Sequence, residues 1–114
     1  MILTGSLLAG TMVWDASTGA FISILMTPQD QTVWASEFFP DSTRVLTFNS
    51  NAFPAPATVT IWDARTGAVI RSWDSTPDLS ASVSPDGNKV VTGSFDSIAV
   101  FDANSGTLLW DTKL

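Results

Sequence analysis

Val59-Thr60-Ile61-Trp62-Asp63-Ala64-Arg65-Thr66-Gly67 decides how this chain is read. A β-branched run ends in an aromatic and an aspartate, then turns through small residues to a glycine. The pattern occurs twice more, as Thr11-Met12-Val13-Trp14-Asp15-Ala16-Ser17-Thr18-Gly19 and as Ile98-Ala99-Val100-Phe101-Asp102-Ala103-Asn104-Ser105-Gly106. Internal repetition fixes an architecture before any single residue is interpreted. The aspartates at 15, 63 and 102 stand 48 and then 39 residues apart.

Working outward, other features recur in step. Phe39-Pro40-Asp41-Ser42 and Ser84-Pro85-Asp86-Gly87 are turn sequences, with Pro presetting φ and Asp or Ser bonding the backbone. Each leads into a β-branched run, Arg44-Val45-Leu46-Thr47 and Lys89-Val90-Val91-Thr92. Ile2-Leu3-Thr4-Gly5-Ser6 matches Val90-Val91-Thr92-Gly93-Ser94. A repeat of roughly 40–45 residues is the length of one four-stranded propeller blade. The expected fold is therefore all-β: antiparallel four-stranded β-propeller blades in an incomplete propeller. No helical periodicity is visible. Short runs of Val, Ile, Thr, Phe and Trp alternate with Gly, Pro, Asp and Ser clusters.

The strands, lettered a to d within each blade, are expected at 2–6, 11–14 and 20–25 (b, c, d). The second blade has 32–38, 44–48, 58–62 and 68–73. The third has 79–83, 89–94, 97–101 and 107–110. The chain divides into an incomplete opening blade at 1–26, a second blade at 27–74 and a third at 75–114. The opening blade lacks strand a. Asn49 to Ala57 is an insertion between b and c of the second blade, and it lengthens the first period.

The bulk numbers exclude several functions. Of 114 residues, 45% are hydrophobic and 14% charged, a globular composition. There is no Cys, hence no disulfide and no thiolate metal site. There is no His, which removes the usual general base and the commonest metal ligand. Net charge is −6, and the bases Arg44, Arg65, Arg71, Lys89 and Lys113 are scattered. Nucleic acid and anionic membrane need basic clusters, so neither is an expected partner. Residues 1–10 look superficially like a secretory leader but lack a basic start and align with a strand elsewhere. The compartment stays open, with the cytoplasm slightly favoured.

The repeated residues have structural work to do. A strand-c Trp can fill the space between blades, and its N–H needs a partner. The Asp can accept backbone N–H bonds and nucleate the turn. Gly19, Gly67 and Gly106 suit the left-handed position of such loops. Trp14, Asp15, Trp62, Asp63, Phe101 and Asp102 are accordingly read as blade scaffolding.

Together the strand-c Trp-Asp, the Ser-Pro-Asp-Gly turn at 84–87 and Gly93-Ser94-Phe95-Asp96 resemble the WD-repeat family of β-propellers over nearly the whole chain. The resemblance implies that Asp96 is the tight-turn aspartate, with Thr92 or Ser94 near its hydroxyl partner. The family's Gly-His pair is missing from every repeat, so its hydrogen-bond tetrad is expected to be absent or rebuilt. Phe101 to Trp110 looks like the tryptophan-docking motif of quinoprotein propellers, with Trp110 on the docking position; this second resemblance implies a segment of a quinoprotein-like propeller enzyme whose cofactor ligands lie outside these residues. Arg71 holds that position in the second repeat, and Ser23 or Ile24 in the first. A carbohydrate-binding propeller using an exposed Trp such as Trp34 or Trp73 is a third reading.

Catalysis is not expected. Without His or Cys, a nucleophile would need Lys or lone carboxylates for activation. Asp30 with Glu37, and Asp74 with Asp78, are read as exposed surface acids. No metal-ligand spacing and no Gly-Lys-Ser/Thr phosphate loop occurs, so no cofactor is expected. Recognition is the better reading: a non-catalytic protein–protein interaction scaffold. Loops b–c and d–a share one face, and a rigid sheet lets loops carry function. Phe53, flanked by Pro54 and Pro56 and preceded by Asn51, is a candidate anchor on a stiffened loop. Asp30, Asp74 and Asp78 make that face acidic, which suits a basic protein or peptide. Propellers close with about four to eight blades. The simplest expectation is therefore a fragment of a longer propeller; the alternative is joining of copies, and the strand count argues against a simple ring of them, since a gap would fall at every junction where strand a is missing.

Overall fold

The computed structural model describes residues 1–6, 10–26, 32–50, 57–75, 80–94 and 96–113. Within them the chain forms eleven strands in three antiparallel sheets and no helix. The first sheet is β1 (Ile2–Ser6), β2 (Gly10–Trp14) and β3 (Phe21–Leu25), paired in that order. The second is β4 (Thr32–Phe38), β5 (Arg44–Ser50), β6 (Ala57–Asp63) and β7 (Val69–Ser75). The third is β8 (Ser80–Val83), β9 (Lys89–Gly93), β10 (Ser97–Asp102) and β11 (Leu108–Lys113). Each sheet is an up-and-down meander, so neighbours in sequence are neighbours in space. The fold is all-β, an incomplete set of propeller blades.

Strand boundaries differ most at β11, which runs three residues past Trp110 to Lys113. Ala99, Ile98 and Ser97 pair with Asp111, Thr112 and Lys113. All six residues of β11 are exposed, so no alternation marks its length in the sequence. β5 and β6 each run further toward the 51–56 segment than their hydrophobic runs, because Asn49↔Thr58 and Ser50↔Ala57 continue the ladder.

Period-two alternation sends successive residues to opposite faces, and each face finds its own neighbour. In β6, Trp62 faces the first sheet and packs with Val13, Leu25, Val45 and Ala64. Ile61 and Val59 face the third and join Leu46, Phe48, Val83, Val90 and Ala103. The second sheet is thus covered on both faces, and each core cluster is a junction between sheets. The innermost strands are joined by Glu37, whose Oε2 accepts from Ser82 Oγ (3.2 Å) and the Val83 N–H (3.3 Å). Glu37 therefore ties β4 to β8.

Every c–d hairpin carries a bulge one step before its aspartate, at Val13/Trp14, Ile61/Trp62 and Val100/Phe101. One extra residue there re-aims the following strand.

Candidate functional site

The three aspartate turns are superimposable in chemistry. The N–H groups of Ser17 and Thr18 donate to Asp15 Oδ1 (2.8 and 3.1 Å). Those of Arg65 and Thr66 donate to Asp63 Oδ1 (2.9 and 3.1 Å), and those of Asn104 and Ser105 to Asp102 Oδ1 (2.8 and 3.0 Å). Gly19, Gly67 and Gly106 donate to the carbonyls of the same three aspartates at φ of 74°, 77° and 74°. Backbone donation from Ser17 and then Thr18 holds the Asp15 carboxyl below the usual aspartate value; Thr66 and then Arg65 do the same for Asp63. These carboxylates are occupied by the turn.

The Pro-Asp turns are built alike. Ser42 and Gly87 donate to the carbonyls of Phe39 and Ser84 (both 2.9 Å), at φ of 60° and 74°. Asp41 accepts from the Thr43 N–H and lies 3.2 Å from the Arg44 guanidinium, which stacks over Phe39. The Ala64 and Ala103 N–H groups donate to the carbonyls of Thr43 and Asn88 (2.9 Å). That places the a–b and c–d turns on one end of the molecule, and the strand ends at Ser6, Ser50, Ala57 and Ser75 on the other.

The strand-c indoles find partners on strand b. Trp62 Nε1 donates to Thr47 Oγ1 (2.8 Å, buried), and Trp14 Nε1 to Thr4 Oγ1 (2.8 Å). These threonines were not singled out from the sequence. The signal was present, since Thr4, Thr47 and Thr92 hold equivalent places on their strands. In the third blade Phe101 has no donor, and Thr92 Oγ1 instead lies 3.4 Å from Ser75 Oγ. The hydroxyl beside Asp96 is Ser94, with Oγ 3.4 Å from Asp96 Oδ1 and 2.7 Å from Ser97 Oγ.

Two further expectations are resolved here. Trp73 is not an exposed platform for a sugar: it packs on Phe101 with ring centroids 5.6 Å apart, and its Nε1 is buried without a hydrogen-bond partner. The first-repeat residue equivalent to Trp110 is Ser23, because the bulges make Val13↔Ser23, Ile61↔Arg71 and Val100↔Trp110 the matching pairs. Ser23 Oγ donates to the Ala64 carbonyl (2.6 Å), and Arg71 Nη1 to the Ser105 carbonyl (3.4 Å). This slot reaches the aspartate turn of the next sheet.

Of the proposed recognition residues, Asn51, Phe53, Pro54, Pro56, Asp30 and Asp78 lie outside the described residues. The side chain of Trp34 does too. Asp74 is described: it is exposed near the end of β7, with Oδ1 3.5 Å from Thr58 Oγ1. Among the described residues, no group of three Asp or Glu is arranged to hold a metal ion.

No protein-family model and no curated protein matches this sequence. Many solved structures resemble it, among them these two. One is a crystal structure titled as the eukaryotic initiation factor, with TM-score 0.71 and 19% identity over 91% of this chain and 26% of that one. The other is the computationally designed Ika8 protein, with TM-score 0.50 and 20% identity over 96% of this chain and 45% of that one. The chain therefore spans about a quarter and less than half of the structures it matches. At this identity the likeness establishes the fold alone: consecutive antiparallel sheets, packed face to face.

Proposed function

We propose that this chain is a non-catalytic interaction scaffold of the WD-repeat kind, whose b–c and d–a end takes a protein or peptide of basic character. The supporting observation is a contrast between acids at the two ends. Asp15, Asp63 and Asp102 each receive two backbone N–H groups and are committed to their turns. Asp74, at the other end, is exposed and, among the described residues, is approached only by the Thr58 hydroxyl at 3.5 Å. An uncommitted carboxylate on a rigid strand end, in a chain of net charge −6, attracts a cationic partner. The Trp-to-Thr hydrogen bonds of the first two blades support the WD-repeat reading.

The test is fluorescence anisotropy with labelled Lys/Arg-rich peptides beside Asp/Glu-rich peptides of equal length. The basic set binds, and more weakly as salt rises. Replacing both Phe53 and Asp74 with Ala lowers that affinity about tenfold, which is about 1.4 kcal/mol. Equal binding of both sets, or an unchanged double variant, sinks the reading.

A further inference from the structure

The packed face of the first sheet carries a buried polar group that the surrounding side chains do not satisfy. Thr11 is 1% exposed, and its Oγ1 is buried without a hydrogen-bond partner. It lies two residues before Val13, so both side chains leave β2 on the same face. That face packs on the second sheet through Val13 and Leu25. Thr11 pairs with Gly5 on one side and Leu25 on the other.

The same row of the second sheet is Phe48–Val59–Trp73, and its members pack in the apolar core between the second and third sheets. Gly5 and Thr11 thus stand where Phe48 and Val59 fill the second junction. A Cβ on Gly5 would meet nothing within 4 Å. The first junction lacks a ring at this level and has a hydroxyl in place of a methyl group.

The second sheet answers with hydroxyls. The c–d turns lie at one end, so stepping from Val13 to Thr11 and from Trp62 to Thr60 moves the same way along the junction. Thr60 pairs with Thr47 on one side and Ser72 on the other. Thr47 and Thr60 are 0% and 6% exposed. Thr47 Oγ1 accepts from the Trp62 indole, which leaves its own hydrogen to give. The Thr60 and Ser72 hydroxyls stand 3.3 Å apart; one donates to the other, and one hydrogen of the pair is left over. The third sheet has Ala99 in the place of Thr60, so the second junction has no such row.

We infer that an ordered water occupies the first junction, between Thr11 and the Thr47–Thr60 row. It donates to Thr11 Oγ1 and accepts the Thr47 hydrogen. Interior water is held where a site is polar, has room and offers about two to four partners. Buried hydroxyls that face one another without a direct bond, beside a glycine, meet those conditions. A dry junction would strip the Thr11 acceptor of its water bonds and give nothing in exchange.

A high-resolution crystal structure of the chain, with water-to-protein cross-relaxation measured by NMR in solution, tests this. A water is expected within hydrogen-bond distance of Thr11 Oγ1, with a long-lived water signal at residue 11. Thr11→Ser keeps the hydroxyl and the water. Thr11→Val keeps the shape, loses the water and lowers the folded-to-unfolded ratio in urea about tenfold. No water at this position, or a Thr11→Val chain as stable as the parent, overturns the inference, since the junction is then dry. A water that survives Thr11→Val overturns it as well, because other groups then hold it.

Discussion

The two internal junctions hold the same slot with the indole on opposite sides. Between the first and second sheets, the later strand supplies Trp62 and the earlier one supplies Leu25. Between the second and third, the earlier strand supplies Trp73 and the later one Phe101. The first arrangement satisfies its indole N–H through Thr47; the second leaves its N–H buried and unpaired. A junction needs one large planar group, and the packing accepts it from either neighbour. What differs is the polar cost, since a buried donor without an acceptor forfeits its water bonds.

Truncation gives the largest expected effect. Trp62→Ala empties a fully packed slot and leaves Thr47 without its donor, at a cost of about 3–5 kcal/mol in urea-induced unfolding. Trp62→Phe keeps most of the volume and loses only the N–H, at about 1–3 kcal/mol. Equal losses for the two would mean that shape does not govern the first junction.

The exchange itself can be tested. Phe101→Trp alone overfills the second junction against Trp73 and costs about 1–3 kcal/mol. Trp73→Leu alone leaves a cavity. The pair together rebuilds the first arrangement, with Thr92 placed to accept the new indole N–H. A double-mutant cycle read by thermal melting is expected to show a favourable coupling of about 0.5–3 kcal/mol. Simple additivity would refute the equivalence of the two slots.

Acid has the smallest effect, and it falls on both junctions alike. Asp15, Asp41, Asp63 and Asp86 are all held below the usual aspartate value. Backbone donation is the leading cause at the first three, and the Ser84 hydroxyl leads at Asp86. A depressed folded-state value means stability that is present above the unfolded value and lost as pH falls through the folded one. The melting temperature is therefore flat from neutral pH down to about 5 and declines below about 4. A decline that begins near pH 6 would rule out turn carboxylates as its source.

Much of this was legible in the sequence because the turns are local. Asp, two small residues and Gly specify their own hydrogen bonds, so the three c–d turns were readable without any tertiary contact. The number and order of strands followed from them. The register across each c–d hairpin was not readable. A bulge adds one residue without a composition signal, and so Ser23 and Ile24 could not be told apart. Trp73 misled for a related reason: an aromatic on an outer strand looks surface-bound until the neighbouring sheet is in place. The length of β11 was hidden because exposed Asp, Thr and Lys pair through backbone alone. The anchor reading of Phe53 comes from Pro54 and Pro56 after it, in a segment whose residues show no alternation from which to argue a pairing partner.

The alternating ownership of the indole has an evolutionary consequence. These blades are not interchangeable cassettes. Placing the third directly after the first would set Leu25 against Phe101, with no indole between them. Duplicating the second in tandem would press Trp73 against Trp62. The unit that can be shuffled without repair is the junction, made of one blade's outgoing face and the next blade's incoming one. Recombination within a blade, between its two faces, preserves fit where recombination at its ends does not.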